Sequence, residues 1–180
     1  MNVDYLIQTE HLGLRAWQET DLTSLAEMCA DPEVMQYFPE TLSFEQSKSL
    51  FDRLQKCYKD NGFTYFVVEL KETREFIGFA GIKDQTYKAP FTPCIDIGWR
   101  FKKVVWGNGY ATEAAKACLD YAFQKRKLEE IYSVCPSINS ASESIMKKIG
   151  MKYDGSFKHS ALKNYPELEE CLIYKIMNSF

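Results

Sequence analysis

The run Trp106-Gly107-Asn108-Gly109-Tyr110-Ala111-Thr112-Glu113 holds the residues whose types and spacing are best suited to chemistry. Two glycines one residue apart let a backbone turn tightly and approach a ligand closely. The small residues after them open a helix, whose first amides have no partner inside the helix. The helix dipole adds roughly half a positive charge at that end. Amides and dipole together suit an anion, a pyrophosphate above all. Other phosphate motifs fit poorly, because the chain has neither GxxxxGK[ST] nor a GxGxxG in its first strand–helix unit.

The elements around the loop must position it. Cys94 to Phe101 reads as a strand. The segment from Gly109 to about Lys125 reads as a helix with Ala111, Ala114, Ala115, Cys118, Leu119 and Ala122 on one face. Upstream, His11 to Trp17 alternates like a strand. Thr20 can cap a helix to about Ala30 that Asp31-Pro32 ends. Ser43 and Gln46 form a capping box for a second helix, closed by Asn61-Gly62. Phe63 to Leu70 and Glu75 to Ile82 read as a hairpin linked by Lys71-Glu72-Thr73-Arg74. Downstream come a strand at Glu129 to Cys135 and a short helix capped by Ser140 and Glu143. Two last strands follow near Met151 to Phe157 and Leu168 to Ile176. The order β-α-α-β-β-β-α-β-α-β-β requires an α/β fold, a mixed sheet with helices on both faces.

The length of 180 residues suits one domain, 1–180, with no repeat, linker or low-complexity tract. A formal net charge of −3 and only local basic clusters argue against a nucleic-acid partner. Lys125-Arg126-Lys127 reads as solvated surface, whereas Lys102 and Lys103 lie beside the anion candidate. No apolar run approaches the roughly 20 residues of a membrane span, and the start Met1-Asn2-Val3-Asp4-Tyr5-Leu6-Ile7-Gln8 lacks the form of a signal peptide. The six cysteines are widely spaced, the nearest two being Cys118 and Cys135. That spacing excludes CxxC and zinc-knuckle patterns and fits reduced thiols in a cytoplasmic protein without a metal site. Neither His11 nor His159 sits in a nucleophile motif.

Over nearly its whole length the chain resembles the GNAT superfamily of N-acetyltransferases, in its RimJ/RimL-like branch. The matching stretches are Thr9-Glu10-His11-Leu12-Gly13-Leu14-Arg15, Asp31-Pro32-Glu33-Val34, Phe76-Ile77-Gly78, Ile97-Gly98-Trp99-Arg100, Trp106 to Glu113, and Asn139-Ser140-Ala141-Ser142 leading into Lys148-Ile149-Gly150-Met151. In the family's Gln/Arg-x-x-Gly-x-Gly/Ala pattern, Gly109 and Ala111 take the small positions and Trp106 stands where Gln or Arg is usual. The resemblance implies a central, mixed but largely antiparallel twisted sheet, acetyl-CoA as co-substrate, and an amine acceptor. It also implies that main-chain groups of Trp99, Arg100 and Phe101 pair with the pantetheine arm. Amides of Gly107, Asn108, Gly109, Tyr110 and Ala111 would hold the pyrophosphate, and Asn139 would contact coenzyme A, a role compatible with capping the helix beside it.

The amine must be neutral to attack a thioester. At pH 7 this costs about 4.6 kcal/mol for a lysine-type amine and about 1.0–1.4 kcal/mol for an α-amine. Asp96 is the first candidate for the base, near where GNAT enzymes often carry a glutamate; it would face the cleft if strand alternation sets it with Gly98 and Arg100. Glu69 is the second. Many GNAT enzymes protonate the leaving thiolate with a tyrosine, but counting back from Gly150 that position is Met146. Ser142 falls where RimL-like enzymes carry a serine proposed for this role. The acceptor is then a protein N-terminus or a small amine, chosen by the first two helices and the loops around Phe38-Pro39, Tyr87 to Pro93 and Leu162 to Pro166. A homodimer is compatible with this reading. Two other classes remain open: a non-catalytic module that binds coenzyme A as a regulatory ligand, and a nucleotide-phosphate module.

Overall fold

A computed structural model describes residues 4–178; Met1–Val3, the first residues of the leader comparison, lie outside the described residues. Eight strands form one sheet in the order β1-β2-β3-β4-β5-β6-β8-β7. They are β1 (Ile7–Gln8), β2 (Leu12–Arg15), β3 (Tyr65–Leu70), β4 (Phe76–Gln85), β5 (Cys94–Phe101), β6 (Glu130–Pro136), β7 (Lys152–Lys158) and β8 (Glu170–Met177). The helices are α1 (Asp21–Ala30), α2 (Phe44–Asn61), α3 (Tyr110–Asp120), α4 (Ser140–Lys148) and the short α5 (Pro166–Glu169). Every neighbouring pair of strands is antiparallel except β5–β6.

The period of two along the strands separates two apolar layers. Phe66 and Val68 of β3 join Ile77, Ile82, Ile97 and Phe101 beneath Ala114, Ala115 and Cys118 of α3 and Met146 of α4. Val67 and Phe79 face the other way, toward Leu25 and Met28 of α1 and Phe51 and Leu54 of α2. The alanine-rich face of α3 lets that helix lie close on the sheet, since its inward residues add little bulk beyond the backbone. All four of Ala114, Ala115, Cys118 and Ala122 are fully buried.

Local signals explain most boundaries. The Ser43–Gln46 capping box forms, and Gly62 closes α2 in the left-handed region at φ 74°. Arg74 turns the β3–β4 hairpin with φ 62°. Two caps differ from the sequence reading. Thr20 makes no side-chain cap; instead Asp21 Oδ2 accepts from Gln18 N at 2.7 Å, which organises the turn into α1. The start of α4 is capped one residue earlier than expected, by Asn139, whose Oδ1 accepts from Ser142 N at 3.0 Å. Glu143 is drawn away from a capping role by Tyr174 Oη at 2.7 Å and Lys147 Nζ at 2.8 Å. The helix expected to run to Lys125 keeps α geometry to Asp120 and continues as a π-helical turn over Tyr121–Lys125.

Candidate active site

The single parallel pairing makes the site. Asp96 is in register with Tyr132, and beyond that point no further residue of β5 pairs with β6. The two strands splay, while β4 stays paired with β5 to Phe101. Lys102 N donates to Ile77 O at 2.9 Å. Alternation therefore turns the main-chain groups of Asp96, Gly98 and Arg100 toward β4, and those of Ile97, Trp99 and Phe101 toward the open edge. Ile97 O accepts from Ser133 Oγ at 3.0 Å and Phe101 O from Trp106 Nε1 at 3.0 Å. Trp99 thus presents an N–H and a C=O at the gap. For Arg100 it is the side chain, not the main chain, that can serve a ligand there.

The glycine loop closes the far end of this gap. Gly107 and Gly109 have φ 81° and 83°, and a Cβ built on either meets nothing within 4 Å. No main-chain N–H from Gly107 to Thr112 finds a protein acceptor among the described residues; the first amide of α3 bonded within the chain is Glu113 N, to Gly109 O at 3.0 Å. Asn108 folds its side chain back onto Val105 O at 3.1 Å and Trp106 O. The half-exposed Trp106 pins the loop to β5 through the indole bond to Phe101 O. Glu113 anchors the same turn to the β1–β2 connection: its carboxylate accepts from Thr9 Oγ1 at 2.5 Å and His11 N at 3.0 Å, with His11 Nδ1 at 3.0 Å. Lys103 pairs with Glu33, Lys102 lies 5.5 Å from the centre of the Phe76 ring, and neither borders the cavity beside the loop.

A cavity of about 500 Å³ lies between these parts. Trp99, Arg100, Phe101, Gly107, Gly109, Tyr110, Ala111, Asn139 and Ser142 border it together, as do Val34, Gln36, Tyr37 and Phe38 from the α1–α2 connection. Of the candidate catalytic and binding residues singled out by sequence, Asp96, Glu69 and Asn108 are not on its wall. Asn139 shows how its two roles combine: its carbonyl oxygen caps α4, and its amide nitrogen has no partner among the described residues. Met146, at the position of the family tyrosine, is buried in the core and carries no proton to give.

Asp96 sits where β5 and β6 part. Tyr65 Oη donates to its Oδ1 at 2.6 Å and Gln85 Nε2 to its Oδ2 at 2.9 Å. Gly98 makes this contact feasible, since a Cβ there would come within 3.0 Å of the Tyr65 ring. Burial pushes the Asp96 carboxyl up to about 6, against the opposing pull of the Tyr65 and Gln85 hydrogen bonds. Burial also holds the Tyr65 hydroxyl well above its usual value, so it stays a donor. Tyr65 and Gln85 escaped sequence reasoning, because only the β3–β4–β5 register brings them to Asp96. Glu69, the second candidate base, is committed elsewhere. Arg15 Nε donates to its Oε1 at 2.7 Å and Tyr5 Oη to its Oε2 at 3.1 Å. The loop expected to choose the acceptor packs Tyr87 on His159 at 4.7 Å and Phe91 on Tyr132 at 5.2 Å between ring centres.

Residues 11–152 match the acetyltransferase (GNAT) domain. The chain belongs to the GNAT acetyltransferase family. It is 34% identical over 152 residues to an uncharacterized N-acetyltransferase, YnaD, of Bacillus subtilis (strain 168), covering 84% of this chain and 85% of that one. It is 27% identical over 152 residues to a spermidine N(1)-acetyltransferase of Escherichia coli (strain K12), covering 84% and 78% of the two chains. The crystal structure of a GNAT-family acetyltransferase from Bacillus anthracis superposes with a TM-score of 0.80 at 29% identity, over 97% of this chain and 99% of that one. The splayed strands and the glycine loop are thus parts of a GNAT fold, and the enzyme is an acetyltransferase whose family draws acetyl groups from acetyl-CoA. No helix among the described residues is long and apolar enough to cross a membrane.

Proposed function

We propose that this GNAT enzyme acetylates a primary amine by direct attack on the thioester of acetyl-CoA, with Asp96 taking the proton from the amine and Ser142 supporting the departing thiolate. The observation that supports it best is the shared cavity: the open edge at Trp99 and the partnerless amides of the glycine loop border one space. The residues fit coenzyme A. Amides from Gly107 to Ala111 would hold the pyrophosphate, Trp99 would pair with the pantetheine arm, and the free amide nitrogen of Asn139 would donate to it. When bound, acetyl-CoA supplies an activated acetyl group.

The chain's own residues supply the rest. A carboxyl raised from 3.8 to about 6 lies much closer to the operating pH, which strengthens it as a proton acceptor. The Tyr65 hydroxyl and Gln85 amide fix its orientation. Ser142, in the first turn of α4, offers a hydroxyl and the dipole of that helix start to negative charge on sulfur. Holding amine and thioester together contributes about 7–11 kcal/mol in favourable cases. The acceptor is a protein N-terminal α-amine, as in the RimJ/RimL-like branch, or a small-molecule amine. One domain carries the whole activity in a reducing, cytoplasmic setting, consistent with six free cysteines. The test is acceptor-dependent release of free coenzyme A, alongside calorimetric binding of coenzyme A. Asp96→Asn should lower kcat by about 10²-fold and Ser142→Ala by about tenfold without loss of coenzyme A affinity. Gly109→Asp should abolish that affinity. Binding with no release toward any amine would establish a regulatory module instead, and stronger thermal stabilisation by ATP than by acetyl-CoA would establish a nucleotide site.

A further inference from the structure

Resting on that reading, the side chain of Arg100 narrows the acceptor. It projects from β5 to the α1 side of the sheet, on the same face as Asp96 and Gly98, and borders the cavity. Its surroundings are unlike those of an ordinary buried cation. Nη1 has Cys29 Sγ at 3.1 Å as its partner. The guanidinium carbon lies 4.1 Å from the centre of the Phe38 ring and 5.2 Å from that of Phe79. Nε is shielded from solvent and has no partner. No carboxylate among the described residues forms an ion pair with it. Asp96 is four residues along the same strand, about 13 Å away at the usual rise, too far to pair. Two acids of the α1–α2 connection are engaged elsewhere: Glu33 with Lys103, and Asp31 with the N–H of Glu33.

A guanidinium stays charged at any working pH, and a desolvated cation without an anion is unfavourable. The aromatic faces of Phe38 and Phe79 offset part of this and hold the planar fork in place. They do not neutralise it. An anion entering the cavity from solvent would. A polycationic acceptor, by contrast, would meet a like charge in a site of low polarity.

We infer that Arg100 is a specificity-determining residue that receives a carboxylate of the acceptor, so that the substrates are small amines bearing a carboxylate, amino acids among them, and polyamines are disfavoured. The strand supports this role: the Arg100 side chain stands on the face turned to α1, while the main chain of Trp99 serves the open edge.

The experiment compares matched pairs with the full-length enzyme and acetyl-CoA: L-amino acids against their C-terminal amides, with spermidine as the cationic arm. Amidation makes the amine less basic and so leaves more of it neutral, which by itself favours the amide. A preference for the free acid must then come from recognition. The expected result is a kcat/KM about tenfold or more higher for the acid, carried mainly by KM, and lost in Arg100→Gln. Arg100→Lys should restore part of it, which separates a lost charge from a damaged fold. Coenzyme A affinity should stay within about twofold in both variants. Equal turnover of acids and amides, a preference for spermidine, or an acid preference that survives Arg100→Gln overturns the inference while leaving the acetyltransferase proposal intact. Loss of coenzyme A affinity in Arg100→Gln also overturns it, by making Arg100 a cofactor residue. Absence of turnover with every amine, with coenzyme A still bound, overturns the proposed amine acetylation and this inference with it.

Discussion

Two arginines on the sheet meet burial in opposite ways. Arg15 on β2 is 7% exposed and fully matched: Nη1 and Nη2 reach the two oxygens of Asp21 at 2.7 and 2.8 Å, and Glu69 closes the third side. Arg100 on β5 has a thiol, two aromatic faces and no acid partner among the described residues. Spacing explains the difference. Asp21 opens α1 just after β2, and Glu69 stands on the neighbouring strand beside the pair Leu14–Val68, so turn and register deliver both carboxylates to Arg15. Asp96 shares a strand with Arg100 and cannot fold back to it. The first cluster binds β2, β3 and α1 into a unit. The second leaves a cation beside a cavity with no acid partner among the described residues, which is how a site differs from a brace.

Substituting each member in turn would break this contrast or sharpen it. The largest effect is expected at the brace. Arg15→Met leaves Asp21 and Glu69 buried without their cation, which should cost about 3–5 kcal/mol of stability, read from urea denaturation. A loss below about 1 kcal/mol would mean that the cluster braces nothing.

Next in size is the acid of the open site. Its folded value near 6 lies above the ordinary 3.8, so between those values the folded state holds the extra proton. The stability that this proton confers is full below pH 3.8 and is lost as pH rises through about 6. Asp96→Asn should escape that loss and gain up to ~3 kcal/mol over wild type at pH 7.5 relative to pH 4. Wild type should show a rise of kcat/KM through about pH 6, and the same variant should flatten it. A wild-type profile with no inflection between pH 5 and 7 would remove Asp96 from the base role.

The smallest effect is expected at Arg100. Since no acid is orphaned by its removal, Arg100→Met should change stability by no more than about 1 kcal/mol, in either direction. A loss as large as that of Arg15→Met would show an unseen partner and erase the distinction between the two.

Much of this architecture was legible in residue order. Alternation gave β5 its bounds at Cys94 and Phe101, and Ser43–Gln46 and Gly62 gave α2 both ends, because these signals act within a few residues. Signals that depend on distant partners misled. Ser140 and Glu143 have the spacing of a capping box, yet Tyr174 and Lys147 hold Glu143, and Asn139 takes the cap. Glu69 has the chemistry of a base, and only the β2–β3 register shows that Arg15 and Tyr5 occupy it.

The chain's residues by themselves determined the anion loop, since two glycines free to take positive φ ahead of a small-residue helix are a local matter of backbone conformation. They determined too that the strand before it carries an acid and a base four residues apart. The tertiary structure alone decided which edge of that strand is open, that Tyr65 and Gln85 crowd the acid until burial raises it, and that no acid among the described residues comes to neutralise the arginine. Those outcomes depend on strand register and on the splay of β5 from β6, which set distances between residues far apart in sequence that no local pattern encodes.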